Sequence, residues 1–447
     1  MSSEIRPSAR PFLLLIVLLS AISIQACRAA PALPSPPPGA STPAAGPTHL
    51  TLWHSETGNA RQALEALLKS FHDAYPDLEV DPVYVGTDGD LSKKVAAAIA
   101  LGRAPDLVIA SRREIADFAR QGGLFPLDEL RDDPDLGFKE EDRSDLFPGI
   151  TDEAAFVEFG KAWYGFPFDV DAMVLYFNPE MLTAASYSDP PGTWADFLDI
   201  ASKVTKDEQF GWAMYINSDV MGGMLVIQGS APVNVPERRS LFAERAGLAS
   251  MTLAAQLVKS GAAQPGATRA DALKAFANGN AAFYIDWLSA VDQVDKARED
   301  AGGNWTVGIA NLPQRDPGER FVYVRSSEIA VFKMPVERAR QAWFLIRWLT
   351  ASKQTAQWAL AARSIPLRAS ALPFLVEGGS TPQLRQIQSN LNGTPPRFVP
   401  RSANPRIAQI EHDMEDAWFE SIQPKADIEA VLSGHADEAN AVLAGNR

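Results

Sequence analysis

The first apolar block of the chain runs unbroken from Phe12 to Leu19 and continues through Ala21, Ile22 and Ile24. That is the length of a signal-peptide core and is short for a membrane span. Past residue 48 the pattern changes. His49 to His54 alternates around Leu50 and Leu52 and predicts a short strand. Leu64, Leu67, Leu68, Phe71 and Tyr75 recur at three- and four-residue spacing and predict a helix, stopped by Pro76-Asp77. Leu78 starts a second strand that ends near Val85, and Leu91 to Leu101 predicts an Ala-rich helix closed by Gly102. Asp106 to Ala110 is a third strand whose continuous apolar run suits a buried parallel sheet. Strand, helix, strand, helix, strand predicts right-handed crossovers and a doubly wound α/β lobe. Ligands of such lobes sit beyond the carboxyl ends of the strands. Those ends carry His54-Ser55-Glu56-Thr57, Gly86-Thr87-Asp88 and Ser111-Arg112-Arg113. Much later, Val307 to Leu312, a polar turn and the strand Arg320 to Val324 form a fresh excursion between two helical regions.

The N-terminus adds a compartment. Arg6 and Arg10 precede the apolar block, and Ile24-Gln25-Ala26-Cys27 follows it. This last stretch resembles a bacterial lipobox, where cleavage precedes a cysteine that receives lipid. Cys27 is the one cysteine among 447 residues, so no intrachain disulfide exists. The expected divisions are a lipoprotein signal peptide over 1–26 and a Pro/Ala-rich tether over 27–48. The tether contains Pro31, Pro34, Pro36, Pro37, Pro38, Pro43 and Pro47. At about 3.1 Å per residue, a polyproline-like segment of this length reaches roughly 65 Å. The remainder is long enough for two domains. The net charge of −14 argues against nucleic acid as a partner. Five histidines, none paired at metal-ligand spacing, give no reason to expect a metal, and no cofactor is expected.

From residue 49 onward a series of motifs occurs in order: Leu52-Trp53-His54-Ser55; Gly102-x-x-Pro105-Asp106-Leu107-Val108; Gly123 to Leu127; Gly165-Phe166-Pro167 with Leu175 to Asn178; Pro190 to Phe197; Phe276-x-x-Gly279-x-x-Ala282-Phe283; and the helix Glu337 to Leu349. Together they resemble family 1 of the extracellular solute-binding proteins, which includes maltose- and glycerol-phosphate-binding proteins. The resemblance implies an α/β fold of two doubly wound α/β lobes joined by a hinge, the periplasmic-binding-protein type II arrangement. It implies lobe one over 49–168 and 311–350, and lobe two over 171–308 and 353–447. The hinge would lie near Phe168 to Asp171 and Gly308 to Asn311. The implied function is capture of a mono- or oligosaccharide and its delivery to the permease subunits of an ABC importer. The implied protein is a monomer, extracytoplasmic and lipid-anchored to the outer face of the bacterial cytoplasmic membrane. The chain departs from the family at Asp286-Trp287, where the tryptophan arrives early. It departs again at Val324 to Glu328, where side chains replace a common glycine-rich turn.

Sugars present polar rims and apolar faces, so their sites combine flat aromatic rings with converging donors and acceptors. Trp53, Trp163, Tyr164, Trp212, Tyr215 and Trp287 fall near predicted loops or strand ends, and Trp53, Trp212 and Trp287 are taken as ligand-facing. Trp194, Trp343, Trp348, Trp358 and Trp418 fall in helices and are assigned to packing. The polar candidates are His54, Glu56, Asp88, Ser111, Asp169, Arg325 and Arg363. An enzyme is not expected: G-x-S-x-G, S-x-x-K, H-E-x-x-H and Walker A motifs are all absent. Asp169 and Asp171 could be imagined as a glycosidase pair, but solvation of a hinge explains them as well. Two further readings stay open. The fold could report ligand occupancy to a membrane signalling protein. Alternatively, Arg112, Arg113 and Arg325 could meet the phosphate of a glycerol phosphodiester.

Overall fold

The computed structural model describes residues 48–445 apart from 317, 379–380, 382–395 and 405. The expected signal peptide, Cys27 and all but the last residue of the tether lie outside the described residues.

The first lobe follows the sequence pattern closely. Strands β1 (Thr48–His54), β2 (Leu78–Tyr84) and β3 (Leu107–Ser111) run parallel, with β1 between the other two. Helices α1 (Gly58–Ala74), α2 (Asp88–Ala100) and α3 (Arg112–Arg120) alternate with them. The apolar stripe of α1 is buried at Leu64, Leu67, Leu68 and Phe71. Helices α2 and α3 start on reciprocal caps, Thr87 with Asp90 and Ser111 with Glu114, which satisfy amides left free by the first turn. Thr57, before α1, makes no such side-chain bond.

The long strand β4 (Gly165–Phe177) then leaves this lobe. The second lobe follows as α4 (Pro179–Ala184), α5 (Trp194–Val204), β5 (Phe210–Tyr215), α6 (Ser218–Ile227), α7 (Arg245–Lys259), β6 (Ala263–Gly266), α8 (Arg269–Ala277), β7 (Ala281–Trp287), α9 (Val291–Asp300) and β8 (Gly308–Asn311). The chain returns through β9 (Phe321–Val331), α10 (Val336–Leu349) and α11 (Ser352–Ala362). It ends with β10 (Arg397–Pro400), α12 (Ile407–Ser421) and α13 (Ile428–Ala444).

Among the described residues, ten of these strands form one continuous sheet in the order β6-β5-β7-β4-β9-β3-β1-β2, with β8 on β4 and β10 on β9. Two strands join its halves. The first half of β4 pairs with β9, Gly165 opposite Ala330 and Ala172 opposite Val324. Its second half pairs with β7, Met173 opposite Trp287, and with β8, Phe177 opposite Gly308. The expected hinge segments are therefore both strand: Phe168 to Asp171 inside β4, and Gly308 to Asn311 as β8.

The segment after 350 behaves differently from the expected boundary at 353, which assigned it to lobe two. Helix α11 packs on α1 of the first lobe. Beyond it, the fully buried Arg368 lies beside Asp142 and Asp145, and Ile365 bridges to Val170 of β4. A buried guanidinium needs its carboxylates within reach, and here they sit on a short first-lobe helix, Glu140–Asp145.

Trp212 corrects the assignment of its ring to the ligand. It is 1% exposed on β5, whose six residues are all buried. Its ring meets Phe197 edge-on at 5.7 Å and lies 6.3 Å from Trp418. A strand covered by helices on both faces buries every side chain, so an aromatic there is core.

Candidate functional site

A cavity of about 570 Å³ opens where the two half-sheets meet. One wall comes from the carboxyl ends of β1, β2 and β3: Ser55, Glu56 and Thr57, then Asp88, then Ser111, Arg112 and Arg113. The floor is the pair of linking strands, through Asp169 and Asp171 of β4 and Arg325 to Ser327 of β9. The facing wall is Ser289, Arg401, Ser402 and Ile407. Parallel strands all point their carboxyl ends to one edge, which gathers these loops in space.

On the first wall, Ser55 donates to Asp88 at 2.6 Å and ties the loops after β1 and β2 together. His54 is buried and accepts from the Glu56 amide through Nδ1 at 3.2 Å. Burial, aided by nearby Arg61, lowers its pKa, so it orients the Glu56 loop as a neutral ring outside the cavity lining. Glu56 is pushed up to about 8, first by desolvation and then by the negative charges of Asp169 and Asp88. Its carboxyl can therefore both donate and accept near neutral pH. The Ser111 hydroxyl is committed to Glu114 at 2.7 Å in the α3 cap. Arg112 is buried, paired with Glu328 at 2.8 Å and set over the Phe156 ring at 4.2 Å. Trp53 packs into the small apolar cluster on the outer face of the first lobe.

The floor is a charge network. Asp169 accepts from the Trp358 indole at 3.0 Å, and burial raises its pKa. Asp171 is raised to about 6 by burial, held against a further rise by Arg325 and Ser289. Arg325 donates to it at 2.9 and 3.1 Å, and the Ser289 hydroxyl donates at 2.6 Å. The Arg325 guanidinium also lies 4.5 Å over the Trp287 ring. Trp287 is 6% exposed and faces an adjoining cavity of about 390 Å³ that shares Ser289 and Arg325 with the first. Its indole nitrogen donates to Asp219 at 3.3 Å.

The structure thus brings Glu56, Asp88, Ser111, Asp169 and Arg325 to one cavity and sets Trp287 beside it. It leaves Trp53, His54 and Trp212 outside. It also leaves out Arg363, which holds Asp292 of α9 at 3.0 Å across the lobes. The additional Trp163 and Tyr164 lie in the first lobe, Trp163 under Arg131 and Tyr164 against Phe159; Tyr215 lines the adjoining cavity. Sequence reasoning missed Ser289, Arg401 and Ser402. Arg401 bridges Asp219 and Glu411, at 3.1 and 2.7 Å, and no local pattern marks it. Among the described residues, the cluster of metal-type side chains is His49, Glu79 and Asp81, at the opposite end of β1 and β2. No helix among them is long and apolar enough to cross a membrane.

Two α/β lobes on shared strands, with a polar cavity between them, define a ligand-binding cleft. Residues 66–384 match the bacterial extracellular solute-binding protein family, and the chain belongs to it. The family is extracytoplasmic and consists of binding proteins. A binding protein of Brucella abortus is 25% identical over 320 residues, 69% of this chain and 73% of the relative. The maltotriose-binding protein of Pyrococcus abyssi is 26% identical over 175 residues, 39% of this chain and 35% of that protein. The sn-glycerol-3-phosphate-binding periplasmic protein of Salmonella typhimurium is 27% identical over 160 residues, 35% of each chain. In fold, the chain is similar to the cyclic alpha-maltosyl-1,6-maltose binding protein of Arthrobacter globiformis. That match has a TM-score of 0.76 at 16% identity, covering 90% of this chain and 100% of that one. It is also similar to the sugar-binding protein MalE of Xanthomonas citri, with a TM-score of 0.76 at 20% identity, covering 90% and 98%.

Proposed function

We propose that this protein captures a mono- or oligosaccharide between its lobes and delivers it to the permease subunits of an ABC importer. In this reading it acts as a monomer held by lipid on Cys27 at the outer face of the cytoplasmic membrane. The observation that carries the reading is the cavity itself. Its walls come from both lobes, and its polar groups both donate and accept, as hydroxyls require. The maltotriose-binding relative supports a sugar. A ligand that touches both walls does so fully only when the lobes close, and that differential contact shifts the equilibrium toward closure.

A thermal-shift panel of mono- and oligosaccharides tests the ligand class, since a ligand at 100 times its Kd adds about 2.7 kcal/mol of stability. The true ligand should also reduce the radius of gyration in solution scattering and be recovered chemically unchanged. Stabilisation by glycerol phosphodiesters and by no saccharide would replace the sugar with the second reading. That reading is favoured by Arg113, Arg325 and Arg401 on the cavity. The anchor is tested separately: palmitate labelling in a bacterial host should vanish in Cys27→Ser.

A further inference from the structure

A second cavity, of about 500 Å³, lies at the far end of lobe two, away from the cleft. It is framed by the last residues of α5, α8 and α9 and the start of α4, at the opposite ends of the lobe-two strands from Trp287. Two polar side chains in its lining are more than nine-tenths buried. Asn178 is 3% exposed and Trp305 is 8% exposed. The Asn178 Oδ1 caps α4 by accepting from the amides of Glu180 and Met181, which fixes the amide's orientation and leaves Nδ2 as its free end. That Nδ2 and the Trp305 Nε1 have no acceptor among the described residues. Packing of the Trp305 ring edge-on against Phe276 at 5.2 Å holds the indole in place. Its nitrogen sits where two backbones come close. A Cβ on Gly303 would fall 2.9 Å from it, and one on Gly279 would fall 3.8 Å from it, and both glycines line the cavity. Neither nitrogen is among the solvent-inaccessible side-chain atoms without a partner, so both face the open cavity, where a ligand acceptor would take the place of water.

We propose that this cavity is a second binding site, for a neutral polyhydroxylated molecule of monosaccharide size. The two N–H groups would donate to ligand hydroxyl oxygens. Gln209 and Asn278 in the lining offer amide oxygens to accept in return, and Met181 and Val204 supply apolar surface. Glu180, Lys203 and Lys206, all exposed, give the lining charges of both signs, and Lys203 is paired outside it with Asp199 at 2.9 Å, which favours a neutral ligand over an ion. The volume is in the range of small-molecule sites. The site is distinct from the cleft and does not depend on what the cleft binds.

The test uses full-length protein labelled with ¹⁵N-tryptophan and titrated with glucose. The Trp305 indole resonance is assigned by its loss in Trp305→Phe. Glucose should move it saturably, in wild type and equally in the cleft variant Arg325→Ala. Asn178→Asp keeps an oxygen to cap α4 but replaces the donor nitrogen with a negatively charged acceptor, so it should weaken the response about tenfold or more. Saturation transfer from protein to glucose provides a second measurement: in Arg325→Ala, adding Trp305→Phe should weaken binding by a similar factor. A Trp305 resonance that glucose never moves, or one that responds equally in Asn178→Asp, overturns the proposal. So does saturation transfer unaffected by Trp305→Phe.

Discussion

On the first-lobe wall of the cleft, the polar groups hang from loops that follow parallel strands, and Asp88, Ser111 and Arg113 are exposed. On the floor and far wall, the groups are locked. Asp171 is buried under Arg325 and Ser289, Trp287 is roofed by the same arginine, and Arg401 is spent on Asp219 and Glu411. The first wall is held only by short-range bonds within and between its loops, such as Ser55 to Asp88 and Ser111 to Glu114. The second is preorganised, so its substitutions should cost stability as well as affinity.

The largest effect should come from Trp287→Ala. Loss of a ring that is 6% exposed should cost about 3–5 kcal/mol, read as a lower Tm of the empty protein. Asp88→Ala on the first wall should stay within about 0.5–1 kcal/mol. Equal Tm losses at the two positions would abolish the distinction between the walls. Next is Arg325→Ala, expected to cost about 1–2 kcal/mol because it strips a buried carboxylate of its cation. A double-mutant cycle with Asp171→Asn should recover part of that loss, and strict additivity would mean the pair is not coupled.

Glu56 gives a pH test. Its folded pKa, about 8, lies above its ordinary value of 4.5. The neutral form is therefore favoured in the folded state, and the stability it contributes is fully present below about pH 4.5 and lost as pH rises toward 8. Glu56→Gln should flatten that part of the Tm–pH curve. An unchanged slope would place the titration elsewhere. Asp171, raised to about 6, is lost in the same direction over a lower window. The smallest effect should be Arg363→Ala. It breaks a pair whose Asp292 side chain is 57% exposed, so stability should fall by less than about 1 kcal/mol, read as a small drop in Tm. If that pair restrains lobe motion, the radius of gyration of the empty protein should rise.

Much of the first lobe was legible because its signals are local. Apolar spacing on α1, the Ala-rich run of α2 and the continuous apolar run of β3 each fix one element within a few residues. Alternation of those elements then predicts the sheet and the edge where Glu56, Asp88 and Ser111 gather. Asp169 and Arg325, named among the polar candidates, stand on the linking strands β4 and β9 and line the same cavity. The aromatic assignments fared differently. Trp212 and Trp287 both stand on buried strands of the same sheet, and which ring meets a cavity depends on the helices covering each strand. His54 and Trp53 are neighbours that face opposite sides of β1, and neither lines the cleft cavity.

By itself, the sequence determined the order of the first-lobe strands and helices up to β3, the α/β class and the loop edge that forms the first wall, because these follow from periodicity and chain direction over short distances. Only the tertiary structure decided that α11 and Arg368 pack with the first lobe, that Asp171 is held by Ser289 and Arg325, and that Arg401 closes the far wall. The hydrogen-bond partners of Asp171 and Arg368 lie 118 to 226 residues apart along the chain. Pairings at that separation are set by the desolvation cost of buried charges and the fit of packed surfaces, neither of which leaves a local mark in the sequence.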